Sequence, residues 1–155
     1  MIMKKLFYLF LLPLAFLASC DDNDDISPVD MTLTLSGVTQ VNDSFYAVAG
    51  DEVTIDGISV KAVDGKDTTV ANVSYSLDGY LFTGTMMEPF NGTFSTENLS
   101  AGTHTIGVEG NLLQVDAAIQ VFAATYSLTI VESEDDLPEG YPAFGTYSET
   151  LSLNK

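Results

Sequence analysis

The chain has 155 residues and a formal net charge of −17, with 22 acidic residues against five lysines and no arginine. Without clustered Lys and Arg it cannot neutralise nucleic-acid phosphates, and without arginine it has no bidentate clamp for phosphate or carboxylate. Its single cysteine rules out an internal disulfide, so the core must hold by apolar burial and sheet hydrogen bonds.

Residues 1–19, MIMKKLFYLFLLPLAFLAS, begin with Lys4 and Lys5, run apolar from Leu6 to Leu17 and end in the small Ala18 and Ser19. Positive, then apolar, then small is the layout of a secretory signal peptide. The apolar run is shorter than the roughly 20 residues a bilayer-spanning helix needs, and Pro13 interrupts it. Removing those 19 of 155 residues leaves 136, enough for one domain with a real core. Three lysines against 22 carboxylates then give a mature charge of about −19.

Leu17-Ala18-Ser19-Cys20 resembles the lipobox of bacterial lipoproteins. The resemblance implies cleavage before Cys20, a diacylglycerol on its thiol and a further acyl chain on its amine. Two or more acyl chains anchor a protein stably where one does not. The alternative is an ordinary secretory signal that leaves Cys20 a free thiol. Asp21, Asp22, Asp24 and Asp25 follow at once. They resemble the acidic export signal that carries lipoproteins of some Gram-negative gut commensals to the outer face of the outer membrane. They also read as a solvated tether extended by like-charge repulsion. The expected location is the outer membrane, lipid-anchored and surface-displayed, with a periplasm-facing orientation as the alternative.

From about residue 30 the pattern becomes short runs of alternating polarity. Met31, Leu33 and Leu35 form the first. Val53 and Ile55 follow, then Ile58, Val60 and Ala62 on the opposite parity. Asp56-Gly57, where the parity flips, is either a two-residue hairpin turn or a β-bulge in one long strand; the bulge keeps the strand count at seven and is preferred. Val73, Tyr75 and Leu77 come next, then Ile106 and Val108. An odd-numbered set (Val115, Ala117, Ile119, Val121) precedes an even one (Tyr126, Leu128, Ile130). Period-2 alternation rich in Thr, Val, Ile and Tyr is the strand signal. Residues 113–124 are the best helical candidate, yet alternation and β-branching favour a strand there too. Ala49-Gly50-Asp51, Asp64-Gly65-Lys66, Asp78-Gly79, Asn91-Gly92, Ala101-Gly102 and Gly110-Asn111 read as turns.

About seven strands in roughly 100 residues predict two packed antiparallel sheets. Residues 73–109 resemble the central part of bacterial immunoglobulin-like domains. The matching pieces are Val73-Ser74-Tyr75-Ser76-Leu77-Asp78-Gly79, Pro89-Phe90, and Leu99-Ser100-Ala101-Gly102-Thr103-His104, with Gly50 to Ile55 upstream. The expected fold is an all-β, immunoglobulin-like antiparallel β-sandwich of about seven strands over 30–133. It follows a signal peptide (1–19) and a lipidated cysteine with acidic tether (20–29), and precedes a tail or edge strand (134–155). The cysteine pair and core Trp of antibody domains are absent.

Few residues point to chemistry. His104 is the only histidine; the resemblance implies that it closes a corner between the sheets, and one His cannot make a zinc site. Asp51 with Glu52, and Glu132 with Glu134, Asp135 and Asp136, read as solvated loop carboxylates rather than a glycosidase pair. The second cluster lacks the ligand spacing and glycine of a calcium loop. Asp67-Thr68-Thr69 resembles a short O-glycosylation acceptor of exported bacterial proteins but fits a plain polar turn better. No metal or cofactor is expected. In the tail, Tyr141, Phe144 and Tyr147 are spaced three apart in polar surroundings. They either stack on a ligand or pack over a sandwich edge, with Thr146–Leu153 as a terminal strand. The expected function is non-catalytic: a binding or adhesion module for a glycan or a surface protein. The alternative is a structural accessory subunit of an outer-membrane assembly.

Overall fold

A computed structural model describes residues 27–42, 44–138 and 145–153, the last as backbone. The described residues form nine strands: β1 (Val29–Val41), β2 (Ser44–Val48), β3 (Glu52–Ala62), β4 (Thr68–Leu77), β5 (Tyr80–Thr85), β6 (Gly92–Ser95), β7 (Gly102–Gln114), β8 (Gln120–Val131) and β9 (Gly145–Leu153). One layer runs β9-β1-β3-β6 and the other β2-β8-β7-β4-β5. Only β2 against β8 is parallel. The described residues form an all-β, immunoglobulin-like sandwich.

The first strand shows how local residues set this topology. Val29, Met31, Leu33 and Leu35 alternate inward along β1. Gly37 then adopts φ 79°, a left-handed conformation that glycine reaches without strain, and the next buried side chain is Val38. A Cβ at Gly37 would sit 2.4 Å from the Glu52 carbonyl oxygen, so the close crossing there also needs a glycine. Beyond it, Thr39–Val41 leave β3 and pair with β2, which carries the chain into the second layer. In β3 the register steps from Leu35↔Ile55 to Thr34↔Gly57. Asp56 is therefore the extra residue of a β-bulge, as the parity flip predicts.

The inner faces of both layers share one core. Met31, Leu33, Leu35, Val53 and Ile55 come from the first layer, and Tyr75, Ile106, Val108, Tyr126, Leu128 and Ile130 from the second. Full burial of each such side chain contributes roughly 1.5–3 kcal/mol. Phe82 joins the layers at one edge, with its ring 5.1 Å from that of Phe94 and 6.2 Å from that of Tyr75.

Two expectations are corrected. Val115, Ala117, Ile119 and Val121 do not form the inward face of a strand. Val115 to Ile119 is the β7–β8 turn, and the buried set of β8 is even: Phe122, Ala124, Tyr126, Leu128 and Ile130. Both parities are apolar around residue 113, and the even one continues the register that the core already imposes on β7. Gly110-Asn111 is not a turn either; it lies inside β7, opposite Val73, Asn72 and Val121. A Cβ at Gly110 would fall 2.2 Å from the Asn72 carbonyl oxygen and 2.7 Å from the Phe122 ring, so close backbone approach explains this glycine.

The pairing gives the sandwich two distinct ends. At one end, called the base, Val29 pairs with both Ala62 and Leu153, and Thr68 pairs with Gln114. Ser27, where the described chain begins, is fixed there. Its N–H donates to Gln114 Oε1 at 3.2 Å and its hydroxyl donates to Asp64. The opposite end carries the Ala49–Asp51 turn, the Asp78-Gly79 turn and the start of β7. Ten strand residues at about 3.3 Å each separate the two by about 30 Å along β4.

Candidate functional site

The distal end carries the most structured apolar surface. Asp78 (φ 49°) and Gly79 (φ 82°) form the two-residue loop between β4 and β5, both with positive φ, the type I′ geometry that suits a tight hairpin. The Asp78 N–H donates to the Thr105 carbonyl, and the Thr105 N–H donates back to Asp78 Oδ1, both at 2.9 Å, so the turn is clamped to β7. Tyr80 and Leu81 leave this turn 81% and 71% exposed. The β4–β5 register shifts between Tyr75↔Thr83 and Ser76↔Leu81, so Phe82 is the bulged residue. It turns toward the layer edge and Tyr80 and Leu81 stay outside.

Beside them lies an open depression of about 500 Å³, lined by Leu77, Tyr80, Phe82, Leu99, Ser100 and His104 among others. His104 is fixed in this lining by two hydrogen bonds. Nδ1 is 2.6 Å from Asp78 Oδ2 and Nε2 is 2.8 Å from the Ser100 carbonyl oxygen. A carbonyl and a carboxylate both accept, so both bonds form only when both ring nitrogens carry protons, and the pair favours the imidazolium form. The hydrogen bond to Asp78 and then that to Ser100 raise the His104 pKa above the ordinary histidine value, against a smaller opposing effect of burial. The bond from His104, with help from the Thr105 N–H, holds the Asp78 carboxyl below its usual range. An imidazolium engaged at both nitrogens has no lone pair for a metal or a proton. His104 is a strut that ties the β4–β5 turn to the loop before β7. The depression offers an aromatic face, aliphatic walls and a few polar atoms, a lining suited to stacking and anchoring.

The residues singled out from sequence fare differently. Cys20, Asp21, Asp22, Asp24 and Asp25 lie outside the described residues, as do Tyr141 and Phe144. Tyr147 stands on β9 in register with Leu35 of β1. Asp51 ends the turn before β3, and its carbonyl accepts from the Thr96 N–H at 2.9 Å. Glu134–Asp136 form a single exposed 3-10 turn, with the Ser133 hydroxyl donating to Asp136 at 2.8 Å. Thr68 opens β4, its hydroxyl donating to the Lys66 carbonyl. Among the described residues no three His, Cys, Asp or Glu side chains gather as a metal site. Sequence reasoning missed Tyr80 and Leu81. The signal was present, two large apolar residues directly after an Asp-Gly hairpin turn, where alternation alone does not say which face they take.

No known family profile matches this chain, and no curated protein does. Sixteen solved chains show similarity. One of them is described as "Structures of Clostridium thermocellum CbhA fibronectin(III)-like modules"; it is 14% identical, with a TM-score of 0.40, over 63% of this chain and 96% of that one. The sandwich assignment rests on the strand pairing above.

Proposed function

We propose that the chain is a lipid-anchored, surface-displayed, non-catalytic binding module, attached through acylated Cys20 and exported with the help of Asp21, Asp22, Asp24 and Asp25. Its ligand is a glycan or another surface protein, taken up at the distal end. One observation carries this reading: the chain enters at Ser27 on the base, while the Tyr80–Leu81 depression lies at the other end. A tether at one pole and an exposed aromatic at the other is the geometry of display. Tyr141 and Phe144 belong to the same reading. The described residues that flank them, the 3-10 turn after β8 and Gly145 opposite Val38, are both distal.

Glycan-array and surface-protein binding of the lipid-free chain, compared with Tyr80→Ala, tests the site. Binding lost in the variant with thermal stability kept supports it. Binding that survives Tyr80→Ala moves the site elsewhere.

A second reading, a structural accessory subunit, draws on Met86 and Met87, both exposed at the end of edge strand β5. A partner covering that edge would co-purify from detergent-solubilised membranes in stable proportion. A ligand-binding module would not bring one down.

A further inference from the structure

The base carries its own apolar surface, of a different kind. Leu113, Val115, Ile119 and Val121 are odd-numbered residues at the β7–β8 hairpin tip. Val115, Ile119 and Val121 are 59%, 66% and 78% exposed, and Val63 in the neighbouring turn is exposed as well. Lys61 and Lys66 stand exposed at the same end, one on β3 opposite Asp30 and the other in the turn before β4. They are two of the three lysines that remain after residue 20, in a chain with 22 acidic residues. The third, Lys155, follows Leu153 by two residues, and Leu153 pairs with Val29 at the base.

We infer that the base rests on the lipid bilayer, with the β7–β8 tip seated at headgroup depth. This deepens the display reading and depends on acylated Cys20. The tether supplies the reason. Seven residue steps separate Cys20 from Ser27, a span of at most about 25 Å when fully extended. Ser27 is bonded to Gln114, the last residue of β7, next to Val115. A tether shorter than the body, joined at the hairpin tip, keeps this end against the surface that holds the acyl chains. Exposed aliphatic side chains flanked by lysines match an interfacial seat, where apolar groups dip below the headgroups and ammonium groups meet phosphates. Asp116 at the tip and Asp64 and Asp67 beside it hold the contact at headgroup level, since a carboxylate does not enter hydrocarbon.

The test uses the mature lipidated chain. With the Cys20 thiol acylated, a cysteine introduced at Val115→Cys, Ile119→Cys or Tyr80→Cys is the sole reactive thiol. Each variant is labelled with an environment-sensitive fluorophore and reconstituted on vesicles of phosphatidylethanolamine and phosphatidylglycerol. Labels at 115 and 119 should shift to the blue on vesicles and be quenched by headgroup-depth spin-labelled lipid; the label at 80 should do neither. Vesicle flotation with labels at 115 and 119 as water-exposed as at 80 would overturn the inference and leave the anchor standing. Labels at 115 and 119 already shielded before vesicles are added would overturn it in favour of a second copy or a protein partner. Quenching at 80 equal to that at 115 would overturn it in favour of a body lying on its side. Failure to float at all would bring down the anchor and this inference together.

Discussion

The two hairpins of the second layer put apolar side chains into solvent in opposite ways. At the β4–β5 tip, Tyr80 and Leu81 line a depression together with His104, whose ring is bonded at both nitrogens. At the β7–β8 tip, Val115 and Ile119 stand exposed on the turn itself, close to Ser27, where the described chain begins. Exposed apolar area alone therefore says little. On the proposed reading the buttressed aromatic surface selects a ligand, whereas the aliphatic one, with lysines at its margin, lies against the membrane.

The largest separation of the two ends comes from Cys20→Ala. The anchor should be lost completely, moving the protein to the soluble fraction after alkaline wash with its strand-dominated circular dichroism unchanged. A second substitution strikes the strand both ends share. In Gly110→Val the new side chain meets backbone at Asn72 and the Phe122 ring, and such overpacking costs about 1–3 kcal/mol. Thermal unfolding should register a clear fall in Tm, and hydrogen exchange should quicken at both tips alike. An unchanged Tm would mean that β4 and β7 approach less closely than described.

His104→Gln should loosen one end only. Losing the struts to Asp78 and Ser100 costs about 1–3 kcal/mol, with faster exchange at residues 78–81 and none of that change at 114–120. The pair also makes stability depend on pH. The folded His104 pKa is raised, so its contribution is complete below about 6.5, the ordinary histidine value, and disappears as pH rises through the folded value. The Asp78 pKa is lowered, so its contribution is present above the ordinary 3.8 and is lost as pH falls through the folded value. Together they stabilise most between those limits. The wild-type Tm should therefore decline as pH rises from about 6.5 through the folded value, and His104→Gln should remove that slope. Equal slopes would remove the imidazolium from the account. The smallest effect belongs to Tyr80→Ala. An exposed side chain should change stability by no more than about 0.5 kcal/mol while ligand binding falls; a loss of several degrees in Tm would make Tyr80 a packing residue.

What the sequence makes legible follows from how singular each signal is. In β3, Val53 and Ile55 give way to Ile58 across Asp56-Gly57, and only a bulge or a turn can move the apolar set between faces; the bulge is there. The Asp78-Gly79 turn is equally plain, because few residue pairs tolerate two positive φ angles. Around residue 113 the signal is double. Leu112 and Phe122 point inward and Leu113 and Val121 outward, all apolar, so alternation cannot tell which set meets the core. The turn between them, Val115-Asp116-Ala117-Ala118-Ile119, contains no Gly or Pro to announce it. Gly110 misleads for the converse reason, being a glycine required by a neighbouring strand. A corner role for His104 is what the family resemblance implies from its place after Leu99 and Gly102; the structure shows it tying the β4–β5 turn to the loop before β7. Its bond to Asp78 joins residues 26 positions apart, which only the register of β4 against β7 brings together.

The claim that bears all of this is that the mature protein begins at a lipidated Cys20. Mass spectrometry of the N-terminal peptide, taken from protein extracted from its native membrane, tests it most directly. The account predicts a peptide starting at residue 20 and heavier by a diacylglyceryl group and an acyl chain. A free thiol at that position, or a peptide still carrying residues 1–19, would contradict it.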